Sequence, residues 1–249
     1  MFRFLKALLL ASGIAALSMN TVSCNSGGQP RVRFVHAIED ADALDIEVNG
    51  TKYFTNVAFS NLAPSKGYTA VAEGIDTIEG LVTGTSTIAF STPNVKLIAG
   101  NYYTVVATGF DTGFEGDNVV ILNPIDDDTE PANGIINFRV INASPSGPNG
   151  SGSSVDIYIQ PAQVEGLTPP ATIGGLAYQV TSKYVPEKYN TTGGGYTVYV
   201  CAAGTTTPVF QQTFVVGGPN EGSIRTLILT DQQGVEDLNP QFIVLDDLN

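Results

Sequence analysis

The chain has no tryptophan, one histidine, two cysteines and only 11 lysines and arginines among 249 residues. Each scarcity excludes something. One histidine (His36) and two cysteines (Cys24 and Cys201) do not supply the nitrogen and sulfur ligands of a transition-metal site. A serine hydrolase triad lacks its setting too, since no G-x-S-x-G turn is present and the histidine has no choice of partners. Eleven bases stand against 24 acids, a formal charge of −13. That balance argues against nucleic-acid and anionic-membrane partners, which need basic surface. Past the N-terminus there is no apolar run of the roughly 20 residues that span a bilayer, and no helix-period segment of useful length.

What is present begins with a leader. "MFRFLKALLLASGIAALSMNTVSC" places Arg3 and Lys6 before an apolar run from Ala7 to Leu17, then small and polar residues up to Cys24. This is the layout of a secretory signal, with an apolar stretch too short to span. Thr21-Val22-Ser23-Cys24 resembles a bacterial lipoprotein lipobox, with threonine where leucine is usual, and "NSGGQP" follows as a flexible tether. The expectation is a signal peptide over 1–23, lipidation at Cys24 and a tether over 24–30. Ordinary cleavage near Ser23, leaving Cys24 a free thiol, is the competing outcome. Three acyl chains, as the lipoprotein resemblance implies, would hold the protein on a membrane where one chain binds only marginally. Asn25 in place of aspartate implies, by the same resemblance, an outer-membrane destination in the cell envelope. Lipidation of Cys24 also removes any disulfide within the chain. Cys201, in the alternating run "YTVYVCAAG", then reads as a small buried hydrophobe.

The remainder is long enough for two domains of about 100 residues each, and it repeats. "RFVHA" (33–37) aligns with "RVINA" (139–143), and "LDIEVNG" (44–50) with "VDIYIQP" (155–161). "AGNYYTVVATG" (99–109) parallels "EGSIRTLILTD" (221–231), and Tyr68 aligns with Tyr189. Short β-branched and aromatic runs, punctuated by 27 glycines and 14 prolines, read as strands. The expected fold is all-β: two tandem antiparallel β-sandwich domains, immunoglobulin- or transthyretin-like. They occupy 31–125 and 135–249, joined by an acidic linker over 126–134, "DDDTEPANG". The second copy alone carries the insertion "SPSGPNGSGSS" and a long connection, "PAQVEGLTPPATIGG".

The opening "VRFVHAIEDADALDIEVNG" and the strand "AGNYYTVVATG", with Ala99, Gly100, Tyr103 and Thr104 in place, resemble the domain-of-unknown-function family numbered 4397. The likeness is stronger in the first copy. In the second, Asn142 stands where the histidine falls and an insertion replaces the acidic loop. The resemblance implies an extracytoplasmic β-sandwich. It implies no enzyme activity and carries over no catalytic residue.

Candidate site residues are few. His36 and Asp45 invite a catalytic reading, but in an alternating strand His36 shares a face with Val32 and Phe34. Its expected role is to cap the following loop, "AIEDADALD". Asp45 and Asp156 occupy equivalent places, and the expectation is one strand-edge hydrogen-bond device made twice. Asp126, Asp127 and Asp128 are candidate calcium ligands between the domains, against a reading as a solvated acidic linker. Tyr53, Tyr68, Tyr184 and Tyr189 either form a contact patch or pack their rings at the sandwich ends with hydroxyls tied to backbone. The glycine-rich runs lack the Lys-Ser/Thr of a phosphate loop, and no cofactor is indicated.

The functional expectation is a non-enzymatic, lipid-anchored envelope protein serving binding, adhesion or structure. The alternative is a carbohydrate- or peptide-binding module of a surface complex. A hydrolase working with two carboxylates alone comes last.

Overall fold

The computed structural model describes residues 28–109, 119–126, 129–148, 152–189, 195–215, 222–232 and 240–248. All regular structure among them is β, and no described helix is long and apolar enough to cross a membrane. The first half holds β1 (Arg31–Ile38), β2 (Leu44–Val48), β3 (Thr51–Val57), β4 (Leu62–Ala63), β5 (Thr69–Ala70), β6 (Gly74–Val82), β7 (Ile88–Leu97), β8 (Tyr102–Gly109), β9 (Val120–Leu122) and β10 (Ile125–Asp126). The second holds β11 (Ile135–Asn142), β12 (Val155–Pro161), β13 (Ile173–Leu176), β14 (Val185–Lys188), β15 (Gly195–Ala202), β16 (Pro208–Val215), β17 (Ser223–Asp231) and β18 (Pro240–Asp246).

Each half is a sandwich of two sheets. In the first, an inner sheet ordered β10-β8-β1-β4, with β5 also on β1 and β9 on β8, packs on an outer sheet ordered β3-β2-β6-β7. In the second, the inner sheet is β14-β11-β17-β18 and the outer sheet β13-β12-β15-β16. The repeat seen in the sequence is therefore a repeat of topology. Not every strand pair is antiparallel, as had been expected. β1 runs parallel to β8, and β11 parallel to β17. The chain leaves each first strand, builds the outer sheet with short excursions back to the inner one, and returns beside that strand in the same direction.

Those parallel strands are buried on both faces, the usual condition of parallel pairing. In β1, Val32, Phe34 and Ile38 enter the core of the first sandwich, while Val35 and Ala37 point the other way. In β11, Ile136, Phe138 and Val140 fill the second core, while Ile141, with Ala143 just past the strand, joins Val35 and Ala37 in a third cluster. Val106, Ile228, Ile243 and Leu245 complete it. The inner sheets thus pack face to face and the molecule is four layers of sheet deep. Thr108 Oγ1 donates across the seam to the Ala143 carbonyl at 2.7 Å, and Thr230 Oγ1 to the Ala37 carbonyl at 3.4 Å.

Charge is buried at one end of this seam. Arg33 and Arg139 are each 2% exposed. Arg33 Nε donates to Thr104 Oγ1 at 2.8 Å, Nη1 to the Asp246 carbonyl at 2.6 Å, and Nη2 to Asp247. Arg139 repeats the pattern: Nε to Thr226 Oγ1 at 3.0 Å, Nη1 to the Ile125 carbonyl at 3.0 Å, Nη2 to Asp126 Oδ1 at 2.5 Å. Each arginine therefore grips the aspartate of the opposite half, while the aspartate of its own half stands 3.7 Å away. Tyr68 and Thr104 donate to Asp126 Oδ2, and Tyr184 and Thr226 to Asp247 Oδ2, all within 2.8 Å. Arg33 lies over the Tyr68 ring and Arg139 over Tyr184, at 4.9 and 4.7 Å. Burial, then the neighbouring carboxylates, push both tyrosine hydroxyls well above their ordinary pKa. Burial alone would lower the Arg139 pKa, but Asp126, Tyr184 and Asp247 together outweigh it and raise it.

Three sequence expectations change here. Tyr68 has Tyr184 as its counterpart rather than Tyr189, because the loops ahead of the two tyrosines differ in length. Asp126 is not part of a solvated linker but the end of a strand, 5% exposed. The tether does not reach residue 30: Pro30 is buried, and its carbonyl accepts from Val71 N at 3.0 Å.

Breaking a buried ion pair by removing one partner typically costs about 3–5 kcal/mol, because the other charge is stranded. Arg139→Met should therefore lower unfolding stability by about that amount in urea titration, and a loss under about 1 kcal/mol would contradict the account. At the other end of the seam, burial first, then Asp231 and Asp40, raise the Glu39 carboxyl from 4.5 to about 7. The folded protein thus holds a proton there that the unfolded chain has released. This contribution is complete below pH 4.5 and lost as pH rises through 7. Glu39→Gln should raise the melting temperature above neutrality and change it little in acid, read by calorimetry at about pH 8 and about pH 4.

Candidate functional site

Duplication supplies an internal control: what both halves possess is architecture, and what one half alone possesses is a candidate for function. His36 falls on the architectural side. It is fully buried; Nδ1 accepts from Ile38 N at 3.2 Å and Nε2 contacts the Asp42 carbonyl at 3.1 Å. The accepting Nδ1 assigns the proton to Nε2. Asn142 takes the corresponding place in the second half, with its Nδ2 3.5 Å from the Ser153 carbonyl, the counterpart of Asp42, and with one further bond to β13 that His36 does not make. Its Oδ1 accepts from Ser144 N at 3.3 Å, and its Nδ2 donates to the Leu176 carbonyl at 3.1 Å. Burial, the foremost cause, lowers the pKa of His36 below its ordinary value.

Asp45 and Asp156 are likewise paired devices. Asp45 accepts from Asn56 N, Thr83 Oγ1 and Lys52 Nζ, and Lys52 foremost holds its carboxyl down at about 2. Asp156 accepts from Gly175 N at 2.6 Å and Gly204 N at 2.8 Å. Each carboxylate ties the strand on one side to the strand on the other, and neither faces a common cleft.

The halves differ most between the first two strands of their outer sheets. In the first half, Asn49 and Gly50 turn β2 into β3 with φ of 50° and 73°, a tight hairpin of the type that suits the strand twist. In the second half, a strap of residues 162–172 replaces that turn and lies over the outer face of the sheet. Gln160 anchors it by donating to the Gly166 carbonyl at 2.5 Å and accepting from Thr168 N at 3.1 Å. Thr172 Oγ1 accepts from Ile159 N at 3.0 Å. Leu167 and Ala171 pack on Tyr158, Tyr199 and Cys201, a small apolar cluster outside the sandwich core. Cys201 is fully buried, and burial raises its pKa, as suits a packing residue.

Beside the strap runs an open groove of about 720 Å³. Its floor is two cross-strand pairs, Thr197 with Thr213 and Tyr199 with Gln211, and Glu165 stands on the strap wall. The two threonine hydroxyls are 2.8 Å apart. Hydroxyls, an amide and one carboxylate make its polar part, and Tyr199 with Val164, Leu167, Pro169 and Pro208 its apolar part. Among the described residues lining the groove there is no histidine, lysine or second carboxylate. Such a surface can hold a polar ligand by hydrogen bonds, but it offers no acid–base pair.

The other expected site residues lie elsewhere. Cys24, Asp127 and Asp128 fall outside the described residues. Asp126 gives its oxygens to Arg139, Tyr68 and Thr104, and so differs from a calcium ligand facing solvent. Tyr68 and Tyr184 do not form an exposed patch, and their hydroxyls meet carboxylates rather than backbone. Tyr53 and Tyr189 pack at the margins of the two cores.

Residues 30–151 match the sequence model of a domain of unknown function (DUF4397). They belong to that family. The matched segment runs from the first strand through β11, and so holds Arg33, Thr104, Asp126 and Arg139 together. No curated protein matches the chain. Two solved structures are similar at a slight level. One, from work on alpha-glucan binding by a streptococcal virulence factor, is 12% identical, with 85% of this chain and 97% of that chain covered and a TM-score of 0.26. The other, a putative cell adhesion protein from Bacteroides fragilis, is 10% identical, with 82% and 84% covered and a TM-score of 0.21.

Because Asn142 performs the work of His36, His36→Asn should fold with a melting temperature close to the parent. His36→Ala strands the Ile38 amide and should cost about 1–3 kcal/mol. An asparagine variant as unstable as the alanine variant would contradict the equivalence.

Proposed function

We propose that this chain is a non-enzymatic binding protein of the cell envelope, with the strap groove of its second half as the ligand site. The observation that carries the reading is that, among the described residues, the strap and its groove stand in the second copy alone, on a scaffold whose topology and buried Arg–Asp set are duplicated. Uncharged hydroxyl and amide groups beside Tyr199 suit a glycan, whose own hydroxyls exchange hydrogen bonds with Thr197, Gln211 and Thr213. A lone Glu165 falls short of the carboxylate pair that glycoside hydrolysis uses. The leader and the lipobox-like site support an anchor on Cys24, which would hold the protein at the membrane surface.

Glycan-array binding followed by titration of the best ligand tests the site. Gln211→Ala should weaken binding about tenfold, the loss expected for one or two hydrogen bonds. Asn49→Ala, in the tight turn where the first half lacks a strap, should leave binding unchanged. Retained affinity in the Gln211 variant would remove the groove from the account. Mass spectrometry of the mature N-terminus tests the anchor, and an unmodified Cys24 would remove it.

A further inference from the structure

Exposed strand edges invite pairing with another chain, and proteins blunt them with charge, proline, bulges or shortness. Nearly every described edge here is blunted. β4, β5 and β10 are two residues long, and β9 is three. β3 carries Lys52; β14 carries Pro186, Glu187 and Lys188. β13 has four residues, two of them glycine, and β18 starts on Pro240 and ends on Asp246. β7 is long, but Pro93, Lys96, a left-handed Asn94 (φ 64°) and two register shifts interrupt it.

β16, the counterpart of β7 in the second half, is different. "PVFQQTFV" contains no charged residue, and its only proline is the first. After one register shift beside Pro208, Phe210–Val215 continue in regular register with β15. Phe210 and Phe214 pack against the core, while Gln211, Thr213 and Val215 point outward, and Val215 is 74% exposed.

We propose that β16 pairs antiparallel with β16 of a second copy of this chain, about a two-fold axis, so that two four-stranded outer sheets become one. On this acidic surface, an edge without charge is where a second copy of the chain can approach. Two copies of a chain with 24 acids against at most 11 bases repel over most of their surface. At β16 neither brings a charged side chain opposite another, which removes the usual penalty on like-charged cross-strand pairs. A two-fold contact also needs only one self-complementary patch. Opposed residues of an antiparallel pair share a face. An axis at Gln212 therefore sets Phe210 opposite Phe214 on the core side, and Gln211 opposite Thr213 outside.

Sedimentation velocity of the purified protein, from about 1 to about 100 μM, reads the association. The expected result is a monomer–dimer equilibrium. Val209→Lys with Val215→Lys sets lysine opposite lysine in that register at two exposed positions outside the groove, and should leave a monomer with an unchanged melting temperature. Ser91→Lys on β7 should still dimerise. Amide exchange needs no variant: protection over Phe210–Val215 should rise with concentration while β7 stays constant. A parent protein monomeric across the range, a dimer indifferent to the lysine pair, or concentration-independent exchange at β16 would each overturn the proposal. No readout requires a groove ligand, so the dimer and the glycan site stand or fall separately.

Discussion

The exchange of aspartates between Arg33 and Arg139 is the constraint around which the molecule is arranged. Two guanidinium groups and two carboxylates are taken out of water together, a neutral set whose burial is tolerable only because every strong donor finds an acceptor. That requirement fixes much else. Thr104 and Thr226 must stand on the parallel partners of the arginine strands to meet Nε. Tyr68 and Tyr184 must fold over the guanidinium faces, and the chain must return at β10 and β18 to deliver the acids. Because each arginine reaches across, neither half completes its own set. The two sandwiches are parts of one unit.

The same logic explains the strands. A sheet packed on both faces cannot alternate apolar with polar. β1, β8, β11 and β17 are accordingly buried almost end to end, whereas β16 alternates strictly with its outward face exposed. The inner sheets carry the architecture in duplicate. The outer sheets are where the halves diverge, with a tight Asn49–Gly50 turn in one and an eleven-residue strap over Tyr158 and Tyr199 in the other. Divergence on the outer layer leaves the buried charges undisturbed.

Much of this was legible in the sequence. The repeat of an arginine-led strand, the paired Asp45 and Asp156, and the all-β class follow from local patterns, and the His36-to-Asn142 replacement already pointed to a structural role. The burial of Arg33 and Arg139 was not legible, because their partners are remote in sequence or look like linker and tail. Asp126 opens a run of three acids and Asp247 lies near the C-terminus. Nothing local separates a carboxylate that ends a strand from one that floats in solvent. Tyr184 was missed as the counterpart of Tyr68 because unequal loops shift the spacing. The strap was visible as a longer connection, but its groove depends on which face of the sheet it crosses, which residue order does not encode.

If the crossed Arg–Asp set is the central fastening, the two halves cannot unfold separately. Scanning calorimetry of the purified protein tests this most directly. The account predicts one transition, with calorimetric and van't Hoff enthalpies in a ratio of about one. Two resolved transitions, or a ratio of about two, would mean that each sandwich stands alone and that the buried charges do not bind them into one body.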